Sequence, residues 1–324
     1  MRLGRRSFLA AGALSVAEGA TLARADTYPS RLIKVVVPIS AGSTTDVVAR
    51  QVAEGLRLSM GQTVLVDNKP GAGGTIGSAM VAKAPADGYT LLVVSASHTA
   101  NPALYTALPY ETQKDFKGIN RLVIIPLILV TSPDKGIKSV ADLIARAKAK
   151  PGEMTYGSGG VGSSAHMNAE QFRAMAKMEA LHVPYRGTPE MMTDIMAGRV
   201  DWGFVSTVSA LGAVKDGKLV VLACGAEQRS ALFPDVPTTV EAGVPGSVYN
   251  SWLGMFAPAG TPPEIVETLN RETTKALQVP ETVQKLAAMG AEVAPMRPAE
   301  FDAFIARDIE SLATLVKVAK IPAN

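Results

Sequence analysis

Two segments rich in glycine and hydroxyl residues are the parts of this sequence best suited to bind a small anion. The first runs from Ile39 to Thr44 and the second from Ser158 to Ser164, each between an apolar run and a helical pattern. Backbone N–H groups at the start of a helix lack an intrahelical partner and favour negative charge. Small residues let that backbone approach a ligand closely. The sequence therefore predicts two anion-binding loops.

Three further segments carry polar or aromatic side chains directly after apolar runs, at positions 95–101, 183–188 and 201–207. We interpret residues 95–101 as a polar loop, which either faces a ligand or forms a surface turn. Arg186 can pair with a carboxylate through two N–H groups, or it can remain a solvated surface charge. The candidate ligand-binding residues are Ile39, Ser40, Ala41, Gly42, Ser43, Thr44, Ser97, His98, Ser158, Gly159, Gly162, Ser163, Ser164, Tyr185, Arg186, Phe204 and Ser206.

No motif in the sequence supplies a catalytic or metal-binding set of residues. There is no G-x-S-x-G elbow, no H-E-x-x-H helix and no P-loop, and the 3 His and 1 Cys are dispersed. We therefore predict no catalytic residue, no metal and no cofactor. One alternative stays open, because Gly157, Gly159 and Gly162 match the dinucleotide fingerprint and Glu179 follows about 20 residues later. That alternative is an exported dinucleotide-dependent oxidoreductase.

The first 25 residues have the pattern of an export signal. Arg5 and Arg6 form a twin-arginine pair, and Ala23-Arg24-Ala25 fits a cleavage site after Ala25. This segment carries a net charge of +3, which equals the +3 of the whole chain, so the remainder nets 3 − 3 = 0. A chain without net charge has no electrostatic attraction to nucleic acid or to an anionic membrane. We predict a periplasmic protein.

Short apolar runs alternate with helical periodicity along the rest of the chain, which is the pattern of an α/β protein. Two such units are joined by two extended crossings, and we interpret Ile124–Val130 as one strand that leaves the first unit. Ligands of open α/β sheets bind beyond the carboxyl ends of strands. The small polar residues stand at those ends, so the pattern favours a hinged pair of lobes with a ligand between them.

A series of ordered blocks, from about Tyr28 to Ile321, carries a family resemblance. The blocks are Tyr28–Arg31, Asn68–Gly74, Ala86–Leu92, Asn101–Tyr105, Lys114–Phe116, His182–Gly187, Leu232–Thr238 and Trp252–Pro262. This series resembles the Bug-type (Bordetella uptake gene) substrate-binding proteins of the tripartite tricarboxylate transporter family.

The resemblance implies a two-domain periplasmic binding protein, or Venus-flytrap, fold with a hinge between two α/β lobes. We place lobe 1 at residues 26–127 and 253–324 and lobe 2 at residues 128–252. The implied ligand is a small carboxylate, either a di- or tricarboxylate or an aromatic carboxylate. The implied partner is a two-subunit membrane permease that receives this ligand, and we expect a monomer.

The chain departs from the family pattern at two places. The first loop of the family usually reads Pro-Phe-x-x-Gly-Gly, where this chain has Pro38–Ser43. The family often carries Phe-Asp-Asn where this chain has Phe204–Ser206. Because the acidic group is missing there, a ligand ammonium loses a partner. We therefore expect a plain carboxylate rather than an amino acid.

Overall fold

The computed structural model describes residues 28–249, 251–319 and 321. The predicted export signal, residues 1–25, and its cleavage site after Ala25 lie outside these residues. Within the described ranges, no helix is both long and apolar enough to cross a bilayer.

Two β-sheets organise the described chain. The strands are β1 Ile33–Val37, β2 Val64–Asn68, β3 Thr90–Ser95, β4 Phe116–Ile125, β5 Leu127–Thr131, β6 Thr155–Ser158, β7 Leu181–Pro184, β8 Trp202–Ser206, β9 Val220–Cys224, β10 Ser251–Pro258 and β11 Glu292–Val293. Six strands form one sheet in the order β11-β4-β10-β3-β1-β2, and five form a second in the order β7-β6-β8-β5-β9. Both sheets contain parallel and antiparallel pairs.

Helices connect the strands and cover the sheets, so the predicted α/β class is confirmed. The helices are α1 Thr44–Met60, α2 Thr75–Ala82, α3 Ser97–Leu104, α4 Val140–Ala149, α5 Ser164–Ala176, α6 Thr188–Met196, α7 Thr207–Lys215, α8 Pro263–Gln278, α9 Pro280–Ala288 and α10 Pro298–Ala319. The segment interpreted as a polar loop at 95–101 instead begins a helix, α3, and that interpretation was wrong.

Helix α1 shows how the sequence sets the ends and the buried face of an element. The Ser43 hydroxyl accepts a hydrogen bond from the Asp46 N–H at 3.2 Å, which satisfies one unpaired donor of the first turn. Val48 and Leu56 lie on one face of the helix and are fully buried against the first sheet. Gly61 ends the helix with a left-handed φ of 67°.

The chain passes between the sheets twice. Pro126 separates β4 from β5, so the run Ile124–Val130 is divided between the two sheets and the prediction of one continuous strand was wrong. The second crossing leads from β9 to β10. The Gly225 N–H donates to the Leu127 carbonyl at 2.8 Å, and the Tyr249 N–H donates to the Gly225 carbonyl at 2.9 Å. These two bonds tie the crossings together.

The sheets divide the described chain into two bodies, called lobe 1 and lobe 2 below. The strands of lobe 1 lie within residues 33–125 and 251–293, and those of lobe 2 lie within 127–224. Helix α10 packs on α3 and β4 of lobe 1 and on α5 of lobe 2. The predicted lobe boundaries remain a proposal.

Candidate functional site

A cavity of about 280 Å³ lies between the two lobes. Lobe 1 contributes the start of α1, the ends of β3 and β4 and the start of β10. Lobe 2 contributes the start of β5, the end of β8 and the segments after β6, β7 and β8. The lining residues are Thr44, Thr45, Ser95, Ile125, Leu127, Gly159, Ser163, Ser164, Ala165, Gly187, Thr188, Phe204, Val205, Ser206, Ser209, Ser251 and Leu253. This volume lies just below the range of about 300–1,000 Å³ that is common for ligand pockets, so the cavity suits a small metabolite.

Four helices begin at the cavity wall. Thr44 is the first residue of α1, Ser164 of α5 and Thr188 of α6, while Ser206 caps α7. Among the described residues, no acceptor takes the N–H of Thr44, Ser164 or Thr188. Each helix N-terminus carries roughly half of a positive charge. No lining side chain is ionisable, so the cavity wall holds no counter-ion for these donors.

The hydroxyl groups of the wall fall into two sets. Some are already paired: Ser163 Oγ accepts from the His166 N–H at 3.3 Å, and Ser206 Oγ lies 2.6 Å from Ser209 Oγ. Others make no hydrogen bond with any part of the chain that the structure describes, namely Thr44, Thr45 and Thr188. The free threonine hydroxyls stand beside the free helix amides and can donate to the same ligand oxygen atoms.

Apolar side chains form part of the cavity wall. Ile125 and Leu127 flank the first crossing, Phe204 comes from β8 and Leu253 from β10. Phe204 is fully buried and packs edge-to-face on Phe172, with ring centroids 5.9 Å apart. The cavity wall therefore combines hydrogen-bond donors with hydrocarbon surface.

Two histidines stabilise the loop between β6 and α5 through hydrogen bonds. The Gly162 N–H donates to His166 Nδ1 at 3.2 Å, and the Gly160 N–H donates to Ser158 Oγ at 3.1 Å. Ser158 Oγ also lies 2.6 Å from His182 Nε2, and the two imidazole rings stack with centroids 4.2 Å apart. Because Nδ1 can accept only when it is unprotonated, this loop conformation requires a neutral His166.

His98 is buried in lobe 1 rather than exposed to the large cavity. Its ring contacts Tyr110 and Phe116, with centroids 5.5 and 4.8 Å away, and neither ring nitrogen has a partner among the described residues. Burial lowers the pKa of His98 to about 3. With Ile39 and Ser97 it lines a second, smaller pocket of about 10 Å³, which has room for about one water molecule.

Acid should destabilise the protein through these histidines. Burial, assisted by His182, lowers the pKa of His166 to about 4, and burial lowers that of His98 to about 3. The unfolded chain, with a histidine pKa of about 6.5, therefore binds more protons, and stability is lost as the pH falls from 6.5 towards 4. Between pH 7.5 and 5, we expect His98 and His166 each to lower the unfolding free energy by about 2 kcal/mol in urea titrations.

The His98→Phe variant provides the control for this pH dependence. Phenylalanine keeps the aromatic packing against Tyr110 and Phe116 but cannot titrate. We expect this variant to fold at pH 7.5. Between pH 7.5 and 5, its unfolding free energy should fall by about 2 kcal/mol less than that of the wild type. A profile identical to that of the wild type would show that His98 does not cause the acid sensitivity.

The structure distributes the predicted binding residues over three locations. Those on the wall of the large cavity are Thr44, Gly159, Ser163, Ser164, Phe204 and Ser206. Those on the wall of the smaller pocket are Ile39, Ser97 and His98. Those outside both walls are Ser40, Ala41, Gly42, Ser43, Ser158, Gly162, Tyr185 and Arg186.

Local hydrogen bonds account for part of this distribution. The Gly42 N–H donates to the Asp46 carboxylate at 2.9 Å, and the Tyr185 hydroxyl donates to Asp194 at 2.6 Å. Arg186 is exposed, directly before two residues of the cavity wall, and forms no ion pair within the described ranges. A role of these residues in binding remains a prediction.

Sequence reasoning missed the wall residues that the crossings contribute. Ile125, Leu127, Ser251 and Leu253 have no local signal, because only the folded hinge brings them to a ligand. Thr188 did have a signal, since a helix starts there directly after Gly187, shortly beyond the end of β7.

The amino-acid sequence matches the model of a protein family described as "Tripartite tricarboxylate transporter family receptor" over residues 48–321. The chain belongs to this receptor family. Protein BugT of Bordetella pertussis is 38% identical to the receptor over 295 residues, which cover 90% of this chain and 90% of BugT. The predicted Bug-type resemblance is confirmed.

Two solved structures are similar to the receptor over nearly its whole length. Rpa4515 of R. palustris, solved with adipate, is 33% identical with a TM-score of 0.80, and the match covers 92% of this chain and 100% of Rpa4515. Periplasmic binding protein BugD is 32% identical with a TM-score of 0.77, and the match covers 92% of this chain and 100% of BugD. The predicted two-lobed periplasmic binding protein fold is confirmed.

Proposed function

We propose that this receptor captures a small carboxylate in the cavity between its lobes and delivers it to a tripartite tricarboxylate transporter permease. The candidate ligands are di- or tricarboxylates and aromatic carboxylates. The observation that carries the proposal is the meeting of helix N-termini from both lobes at a cavity whose wall has no charged side chain. The adipate in Rpa4515 supports a carboxylate of this size.

Binding follows from closure of the lobes around the anion. Lobe 1 offers the start of α1, and lobe 2 offers the starts of α5, α6 and α7. A ligand that contacts both sets stabilises the closed arrangement by its differential contacts. A hydrogen bond to a charged group contributes about 1.5–3 kcal/mol, so several of them, after association costs, account for micromolar affinity.

The same wall selects against amino acids. No aspartate or glutamate lines the cavity, so an ammonium group would be desolvated without a partner, at a cost of several kcal/mol. We therefore propose that the receptor discriminates plain dicarboxylates from aspartate and glutamate.

Affinity should be independent of pH where the ligand is fully ionised. No lining side chain titrates near neutrality, and carboxyl groups ionise at a pKa of about 4. For a mono- or dicarboxylate, we expect a constant dissociation constant between pH 7.5 and 9 in isothermal titration calorimetry. A change of tenfold or more within that range would show that a titrating group takes part in binding.

The direct test of the proposed function is calorimetric titration of the purified receptor with adipate, malate, citrate, phthalate and benzoate, with aspartate for comparison. We expect micromolar binding of at least one plain carboxylate and weaker binding of aspartate. The absence of binding for every carboxylate would overturn the proposal.

The cellular context completes the proposal. A twin-arginine signal cleaved after Ala25 would deliver the receptor to the periplasm, where relatives such as BugD are described. We propose that it works there as a monomer with a two-subunit permease. The family match favours the receptor over the oxidoreductase alternative, since the chain belongs to a receptor family.

A further inference from the structure

A hydrogen bond between two serines joins the lobes inside the candidate ligand cavity. Ser251 Oγ, at the start of β10 in lobe 1, donates to Ser164 Oγ, at the start of α5 in lobe 2, at 3.0 Å. Both residues line the cavity, and Ser251 is only 5% exposed. The contact is therefore a polar link between lobes that a ligand would touch.

The hinge fixes the position of Ser251. It follows Tyr249 by two residues, and the Tyr249 N–H is bonded to the Gly225 carbonyl where the two crossings are tied together. Groups close to a hinge axis move little when the lobes rotate. Ser251 also pairs with Ile125 at the end of β4, so it offers Ser164 a donor that belongs to lobe 1 rather than to lobe 2.

The Tyr249 side chain is a neighbour of the Ser164 hydroxyl. Tyr249 is buried, and burial together with the charge of Asp308 raises the pKa of Tyr249. The Tyr249 hydroxyl makes no hydrogen bond with the described residues. The neighbouring phenol therefore stays neutral, and no charged acceptor competes for the Ser164 proton from the cavity wall.

The direction of the hydrogen bond from Ser251 to Ser164 shows which hydroxyl proton is already used. A serine hydroxyl has one proton to donate and lone pairs that accept. Ser251 uses its proton on the Ser164 oxygen, so Ser164 keeps its own proton for an acceptor in the cavity. The free amide of Ser164 at the start of α5 favours an anionic acceptor at that place.

We propose that Ser251 is a positioning residue of the ligand site, which orients the Ser164 hydroxyl so that it donates to a ligand carboxylate. This inference rests on the proposed function. Ser251 acts through Ser164, so its contribution to affinity should depend on the presence of the Ser164 hydroxyl.

A double-mutant cycle tests this dependence. The variants are Ser251→Ala, Ser164→Ala and the double variant, titrated with the carboxylate that binds the wild type most tightly in the panel above. We expect Ser164→Ala to weaken binding about 10-fold and Ser251→Ala about 5-fold. The double variant should bind like Ser164→Ala alone, because the positioning group then has nothing to orient.

Ser139→Ala supplies the matched control. Ser139 caps α4 through the Asp142 N–H, away from the cavity wall, so its loss lowers stability without touching the site. Its affinity should equal that of the wild type. Unchanged affinity of Ser251→Ala, or independent losses that multiply in the double variant, would overturn the positioning role. Failure of the wild type to bind any member of the panel would instead overturn the proposed function.

Discussion

Thr44→Asp is expected to abolish ligand binding while leaving the fold intact. Thr44 is the first residue of α1 and lies on the cavity wall, where the wild-type protein has no charged side chain. Two negative charges about 5 Å apart repel by about 3 kcal/mol at an effective dielectric constant of about 20. That corresponds to more than a 100-fold loss of carboxylate affinity, measured by calorimetry.

The stability of this variant should change in the opposite direction. An acidic residue in the first turn of a helix interacts favourably with the helix dipole, by about 0.3–1 kcal/mol. We therefore expect the thermal midpoint of Thr44→Asp to be equal to or above that of the wild type. Thr44→Asn is the neutral control and should bind within a few fold of the wild type. Retained affinity in Thr44→Asp would show that the ligand does not approach α1.

Gly290→Ala is expected to weaken ligand binding at least 10-fold by separating the lobes. Gly290 follows α9 in lobe 1, and a Cβ atom there would lie 2.3 Å from Thr207 Oγ1 and 2.7 Å from Val208 Cγ2 of α7 in lobe 2. Thr207 is fully buried, so its side chain has little room to move away. The start of α7 also carries Ser206 of the cavity wall, so displacing it should disturb the site. Calorimetry gives the affinity.

Gly61→Ala separates the effect of lobe contact from that of backbone strain. Gly61 has φ +67° and Gly290 has φ +66°, but a Cβ atom at Gly61 would meet nothing within 4 Å. Both variants should lose about 1–2 kcal/mol because alanine disfavours the left-handed conformation. Only Gly290→Ala should lose affinity, and its ligand-saturated form should have a larger radius of gyration in solution scattering. Equal affinities for the two variants would contradict a closure contact at Gly290.

The elements of this fold could be predicted where local patterns and tertiary structure agree. The apolar stripe of α1 and its cap by Ser43 are visible in the sequence, and the helix forms there. Pro126 can also be read from the sequence, but whether this proline ends a strand depends on the strands that pair on either side of it. Ile124–Val130 is uniformly apolar, and nothing local shows that β4 pairs with β10 whereas β5 pairs with β8.

The site was predictable to the extent that it consists of helix starts. Ser163 and Ser164 follow a short strand and a glycine-rich turn, and the structure places both on the cavity wall. Ser158 has the same composition around it, but its hydroxyl turns back to Gly160 and His182. Residue type alone cannot show whether a serine lies on the cavity wall or bonds within the chain. His182, which contacts Ser158, lies on a different strand, β7.

The most direct test of the central claim is a crystal structure of the receptor with the dicarboxylate that binds it most tightly. We expect carboxylate oxygens within hydrogen-bond distance of the Thr44 or Thr45 amides on lobe 1. A second set of oxygens should lie equally close to the amides at the start of α5 or α6 on lobe 2. A ligand seated on one lobe alone, or outside the cavity between the lobes, would contradict this account.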